Sequence, residues 1–228
     1  MDAPPVQLPG VELSPAGRRA RLMDMAAIDL VIDVGANRGQ YAAGLRSAGY
    51  QGRIVSFEPL VTPYGLLAAA SASDPDWECA RLALGRRSGM APMNVAEDTR
   101  NSSMFAVGTR HVRAVPDSRT HGVQRVPVDR LDRRWPSVRR GARRPYLKID
   151  TQGAELDVLR GAAPALDDFG FVEVELSLLP VYDSAPLFAD VLPFLTGHGF
   201  TPIAFEGVLD DVDTGEMLQV DAIFRRRT

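Results

Sequence analysis

Residues 28–34, Ile-Asp-Leu-Val-Ile-Asp-Val, run without a break into Gly35-Ala36-Asn37-Arg38-Gly39, and few folds can use such a junction. A segment so rich in branched apolar residues suits a strand buried on both faces, as in a parallel sheet with helices packed on either side. The glycine turn leads into residues 41–49, a short helical segment ended by Gly49. The alternation continues with a strand over 53–57, a helix over 63–72 capped at Thr62, and a strand over 77–84. It resumes further on as strand 146–149, helix 154–163, strand 171–176, helix 187–195 and strand 200–205. Asp213-Thr214-Gly215 reads as a hairpin turn, so the last strand, 217–225, must run antiparallel to its neighbour. The pattern predicts an α/β fold with a mostly parallel seven-stranded sheet, an antiparallel C-terminal strand and helices on both faces.

At 228 residues the chain has room for one sizeable domain. We read residues 1–20, with four prolines, as a loose N-terminal arm and 21–228 as the domain. Within it, 86–144 reads as an irregular insert on the substrate side, crowded with arginine and holding short strand-like pieces at 91–95 and 123–128. Those arginines either form a solvated surface or a positive rim that attracts an anionic or polyhydroxylated substrate. With 29 acidic against 26 basic residues the chain has no overall nucleic-acid-binding character. The single cysteine, Cys79, excludes an internal disulfide. No apolar run is long enough for a membrane span, and the N-terminus lacks a signal-peptide pattern, so a cytoplasmic location is expected.

The glycine turn would place backbone N–H groups and a helix N-terminus at the carboxyl edge of the sheet, where open α/β sheets bind ligands. A dinucleotide site asks for G-x-G-x-x-G there. Here Asn37 stands in the middle position and Asp33 closes the strand. A carboxylate so near the loop would repel a pyrophosphate, but suits a ligand carrying ammonium and sulfonium groups. Glu58 ends the second strand, where it can accept hydrogen bonds from both hydroxyls of a ribose.

Taken together, residues 31–41, Phe57-Glu58-Pro59, residues 82–85, Asn101-Ser102-Ser103, residues 147–155 and residues 221–224 resemble the FkbM family of methyltransferases. The resemblance covers about residues 28–225, and Lys148-Ile-Asp-Thr-Gln-Gly-Ala-Glu155 is its most specific segment. It implies a class I methyltransferase fold, which is Rossmann-like, with S-adenosylmethionine as cofactor and O-methylation of a hydroxyl on a sugar, glycolipid or natural product. It places Asp33, Gly35, Ala36, Asn37, Gly39, Tyr41 and Glu58 at the cofactor, Ala83 and Leu84 beside the adenine, and Asn101, Ser102 and Ser103 on the acceptor side.

The chemistry of such a reaction asks the protein to position the acceptor and remove its proton. Alternation puts Lys148 and Asp150 on one face of their strand. Asp150 ends that strand beside the cofactor loop and serves both as a cofactor contact and as a catalytic candidate. Thr151 is expected to cap the next helix, while Glu155 in its first turn either meets the helix dipole or contacts substrate. Gln152 belongs to the substrate side. Lys148, Glu175 and Glu155 join Asp150 as catalytic candidates, and a lysine inside a strand demands a partner, expected among Asp150, Glu173 and Glu175. Glu173 and Glu175 share a face, and either could receive Lys148 or hold the acceptor hydroxyl. His111 and His121 lie in the insert as candidate bases or as surface residues, and His121 is placed on the substrate side. Asp150, Glu175 and Asp221 could bind a divalent metal, which is not expected because neither a D-x-D spacing nor a histidine pair supports it. The partner is a small-molecule or glycan acceptor; self-association stays open. The competing readings are an NAD-dependent oxidoreductase and a non-catalytic nucleotide-binding module.

Overall fold

In the computed structural model, which describes residues 14–227, the apolar run forms β1 (Leu30–Val34), paired in parallel with β2 (Arg53–Phe57) and β7 (Pro145–Ile149). Strand β3 (Trp77–Ala80) extends the sheet beyond β2, and β8 (Phe171–Ser177) beyond β7. The hairpin of β9 (Phe200–Asp210) and β10 (Met217–Arg226) inserts β10 antiparallel to both β8 and β9. The order across the seven-stranded sheet is β3-β2-β1-β7-β8-β10-β9. The predicted α/β architecture and antiparallel end strand are both present.

Helices cover both faces. Leu30, Ile32, Val34, Leu147, Ile149, Val172 and Val174 face one core with α5 (Leu131–Arg139), α6 (Glu155–Ala162) and α7 (Phe188–Gly197). The alternate positions, Val31, Ile54, Tyr146, Phe171 and Ile223, pack with α1 (Pro15–Met25), α2 (Gln40–Ser47) and α3 (Val61–Ser71). On this second face the residues nearer the carboxyl edge are polar: Ser56, Asp33, Lys148 and Glu173 stand side by side in register on adjacent strands. Burying apolar side chains below and a polar row above makes this face both a core and the floor of a site.

Four sequence expectations are corrected. Residues 1–13 lie outside the described residues, but part of the proposed arm is helical: α1 begins at Pro15, where Ser14 Oγ accepts from Gly17 N–H at 3.2 Å. The third strand ends at Ala80, because residues 83–84 turn away as β4 (Ala83–Leu84) into a second sheet. The 86–144 insert is ordered: β5 (Gly89–Ala96) and β6 (Thr120–Asp129) join β4 in the order β4-β6-β5, with α4 (Thr109–Ala114) between them. Their outer face is exposed, as at Met90 and Val123, so only the short pieces 91–95 and 123–128 carry a strand-like pattern. Leu60, Ala83, Met93 and Val126 form the small core that fixes this sheet over the carboxyl edge of the first. Helix α3 starts after Leu60 rather than at a Thr62 cap.

Candidate active site

A cavity of about 300 Å³ lies where the second sheet overhangs the carboxyl edge of the first. Its floor is read off the strand order. Phe57 and Glu58 end β2, Val34 and Gly35 end β1, Asp150 ends β7, Glu175 sits on β8, and Gln219 and Val208 come from β10 and β9. Leu60, Leu82, Ala83, Leu84, Met93 and Met104 give the β2 end apolar walls. Asp98, Thr99, Asn101 and Ser102 form a rim, and His111 and Val115 roof the β8–β9 end.

Glycine is obligatory at Gly35. Its φ is 78°, and a Cβ there would stand 1.7 Å from the carbonyl oxygen of Asp150, because the β1 and β7 backbones converge at this point. Gly35 and Ala36 N–H both donate to the Phe57 carbonyl at 3.0 Å, bending the loop back over β2. Asn37, also left-handed at φ 47°, donates its N–H to Glu58 Oε2 at 3.0 Å, and Leu60 N–H donates to Glu58 Oε1 at 2.8 Å. Burial pushes the Glu58 carboxyl up to about 7, although both backbone donors favour its ionised form. Asn37 Nδ2 reaches Thr99 Oγ1 at 3.1 Å and so ties the loop to the overhanging sheet, while its buried Oδ1 has no partner among the described residues.

A continuous buried polar chain crosses the sheet beneath the cavity. Trp77 Nε1 donates to Ser56 Oγ (3.0 Å), and Ser56 O–H donates to Asp33 Oδ2 (3.1 Å). Lys148 Nζ stands 3.2 Å from Asp33 Oδ1 and 3.4 Å from Asp150 Oδ2. Gln152 Nε2 donates to Asp150 Oδ1 (2.8 Å) and to Glu175 Oε2 (2.6 Å), and Gln219 Nε2 donates to the same Glu175 oxygen (3.0 Å). Burial pushes the Lys148 ammonium down, but the carboxylates of Asp33 and Asp150 outweigh it and the net shift is upward. Burial raises Glu175 well above the carboxylate range, reinforced by Asp150, Glu155 and Asp221.

Several predicted site residues take other places. Asp33 is wholly buried below the cavity and holds Lys148, and Lys148 itself lies in that layer, so both act on the site through Asp150. Of the three partners expected for Lys148, the structure supplies Asp150 and adds Asp33. Glu173 is taken instead by Arg19 Nε (2.6 Å), Tyr41 O–H (2.7 Å) and Tyr146 O–H (2.8 Å). Tyr41 therefore belongs to that buried cluster rather than to the cofactor site. Ala36 is buried and does not line the cavity; Gly39 starts α2, where a methyl group would strike Trp77 at 2.9 Å. Glu155 turns away: its oxygens accept from the backbone N–H of Thr151 and Gly153 and from the Thr151 hydroxyl, which itself caps nothing. Its role is to shape the 150–154 loop. Ser103 is buried behind the rim, with Oγ donating to the Gln152 carbonyl at 2.5 Å.

His121 is exposed on β6 and lines no part of the cavity. His111 does line it, packed edge-to-face on Tyr182 with ring centroids 5.0 Å apart, and burial lowers it to about 4, so the ring is neutral. The insert's arginines do not form a positive lining: Arg100 alone reaches the cavity wall, held by Asp98 at 2.5 Å. Among the described residues no cluster of three or more His, Cys, Asp or Glu has metal-site geometry, and no helix is long and apolar enough to cross a membrane. Reading the sequence missed Gln219, Tyr182, Thr99 and Asp98. Gln219 was discoverable, since it shares a strand face with Asp221; the others depend on how the insert folds.

Comparison with known proteins gives a consistent result. A family model described as "Methyltransferase FkbM domain" matches residues 33–202. A relative from Beauveria bassiana named Methyltransferase 1 is 30% identical over 183 residues, covering 75% of this chain and 71% of its own length. Among solved structures, an rRNA methylase from Streptococcus thermophilus superposes with a TM-score of 0.52 at 13% identity, covering 96% of this chain and 99% of that one. Fibrillarin in its complex with Nop5p gives a TM-score of 0.51, also at 13% identity, with 95% and 84% covered. At such identities these last two likenesses show a shared fold, the class I Rossmann-like methyltransferase fold.

Proposed function

The chain belongs to the FkbM family of methyltransferases, and from that premise we propose that it transfers the methyl group of S-adenosylmethionine to a hydroxyl of a neutral sugar-like or natural-product acceptor. The observation that supports this most is the graded character of the cavity floor. The β2–β1–β7 end offers what a nucleoside needs: Glu58 for the ribose diol, apolar walls at Leu60, Leu82, Ala83 and Leu84 for the base, and the unpartnered Oδ1 of Asn37. Asp150 stands at the middle, where a carboxylate suits a cationic ligand. The β8–β10–β9 end, under His111, is left for the acceptor, and its amides and neutral ring fit an uncharged hydroxylated molecule.

When bound, the cofactor supplies an electrophilic methyl on a sulfonium sulfur. The protein's share is alignment and proton removal. Asp150 is the group placed to accept the acceptor's hydroxyl proton, because it lines the cavity, Lys148 stands 3.4 Å from its Oδ2 and Gln152 fixes its orientation. Glu155 and His121 have no part in this, and Lys148 acts only as a positioning residue.

Calorimetry with S-adenosylhomocysteine and with NAD decides the cofactor: binding of the first and not the second is expected, and the reverse would sink the proposal. Transfer of radiolabelled methyl to a panel of neutral glycosides and polyketide alcohols tests the acceptor class.

The Glu58 contact adds a pH signature. Ribose hydroxyls bond best to the ionised carboxylate, whereas half of it is protonated near pH 7 in the free protein. Binding must then expel a proton, so affinity for S-adenosylhomocysteine falls as pH drops, by about tenfold from pH 8 to pH 6. In Glu58→Gln this dependence disappears and affinity is at least about tenfold weaker at pH 8.

A further inference from the structure

Gln152 is held by four hydrogen bonds at the edge of the cavity. Its φ is 56°, a left-handed conformation costly for a side chain with a Cβ. Its amide oxygen accepts from Tyr182 O–H at 2.6 Å, its carbonyl from Ser103 Oγ, and its amide nitrogen bridges Asp150 and Glu175. A strained conformation maintained by contacts at the carbonyl and at both side-chain polar atoms marks a group whose placement matters.

What the amide holds apart is two carboxyl groups with too little positive charge to serve both. The groups facing Glu175 are Asp150 and Lys148 from β7, Asp221 and Gln219 from β10, Glu155 from α6, Glu173 on its own strand, and Tyr182. The only cation among them is Lys148, and it is shared by Asp33 and Asp150. Arg19 is occupied by Glu173, Glu206 and Asp221. Glu175 is 7% exposed and, among the described residues, has no ion-pair partner. Both of its amide donors converge on Oε2, which leaves Oε1 free on the cavity side.

We propose that Glu175 is a neutral carboxylic acid at physiological pH, its proton on Oε1 facing the acceptor end, and that Gln152 is the positioning residue that pairs this acid with the charged Asp150. Glu175 then donates a hydrogen bond to an oxygen of the acceptor neighbouring the one that reacts, which selects oxygen-rich neutral molecules and disfavours amines. The identity of that oxygen rests on the methyltransferase reading above; the proton on Glu175 does not.

The test uses the full chain labelled with 13C at the glutamate δ-carbon, followed by NMR from pH 5 to pH 10, with Glu175 assigned by its absence in Glu175→Gln. The expected result is a Glu175 carbon at the neutral-acid position at pH 7; a carboxylate position at pH 7 overturns the proposal. In Gln152→Met the Glu175 midpoint moves upward by about one unit, a tenfold change in its ionisation, because a donor to the ionised form is lost. An unchanged midpoint overturns the bridging role, and Gln219→Met repeats that arm at a regular strand position if Gln152→Met fails to fold. Thermal midpoints give an independent reading. A folded-state value raised above the unfolded one makes stability fall as pH rises above the ordinary carboxylate range and through the folded value, so the wild type loses stability there and Glu175→Gln loses less. Should S-adenosylhomocysteine fail to bind while Glu175 stays neutral, the functional proposal falls and this one stands; the opposite pair of results separates them the other way.

Discussion

Lys148→Met should destabilise the fold by about 3–5 kcal/mol, more than any other single change in the buried polar row. Asp33 is wholly buried and Lys148 is its cation, at 3.2 Å, on the neighbouring strand in direct register. Methionine fills the same volume but leaves Asp33 with Ser56 alone. The carboxyl can then stay buried only as the neutral acid, since burial pushes it upward and the lysine no longer offsets that. The sign follows. Its folded-state value lies above the unfolded one, so the variant is least impaired below about pH 4 and loses stability as pH rises toward the folded value. Urea denaturation at pH 5 and pH 8 should show a larger deficit at pH 8. The double variant Lys148→Met with Asp33→Asn removes the orphaned charge and should recover most of the loss. If Lys148→Met unfolds at the wild-type midpoint at both pH values, the pair does not hold the floor.

That pair also shows what could be read from the chain alone. A solitary lysine in a strand that must be buried demands a carboxylate, and Asp150, two residues on along the same face, was an available choice. Asp33 was harder to foresee, because it depends on β1 and β7 being neighbours in register, and sequence order puts more than a hundred residues between them. For the same reason Asp33 read as a ligand contact: it ends the strand before the cofactor loop, yet its side chain points below the loop. The main sheet was legible because its central strands are apolar on both faces and separated by helical periods. Of the second sheet only the strand-like pieces at 91–95 and 123–128 were legible, not their pairing into a sheet over the site, since β5 and β6 bury one face only against a small core and carry proline and arginine on the other. His111 and His121 lie ten positions apart in that insert, and only its fold decides that the first reaches the cavity and the second faces solvent.

Gly35→Ala should abolish cofactor binding and cost the fold about 3 kcal/mol or more. Two independent penalties combine at this residue. An L side chain at φ 78° is strained in any surroundings, and the added methyl would meet the Asp150 carbonyl oxygen at 1.7 Å and its carbon at 2.8 Å. Both obstructing atoms are backbone, so no rotamer change relieves the clash; β1 and β7 must part at their carboxyl ends. Parting them moves Asp150 away from the loop and strains the two N–H bonds to the Phe57 carbonyl that fold the loop over β2. Cofactor affinity and the placement of the candidate base are thereby lost together, and binding of S-adenosylhomocysteine should weaken by at least about a hundredfold, some 2.7 kcal/mol. Gly44→Ala is the control. That glycine lies inside α2 with nothing within 4 Å of its would-be Cβ, so alanine there should stabilise by about 0.5–1 kcal/mol and leave binding unchanged. Normal binding by Gly35→Ala at the wild-type denaturation midpoint would mean that the β1 and β7 backbones do not converge as described, and the cavity floor would have to be redrawn.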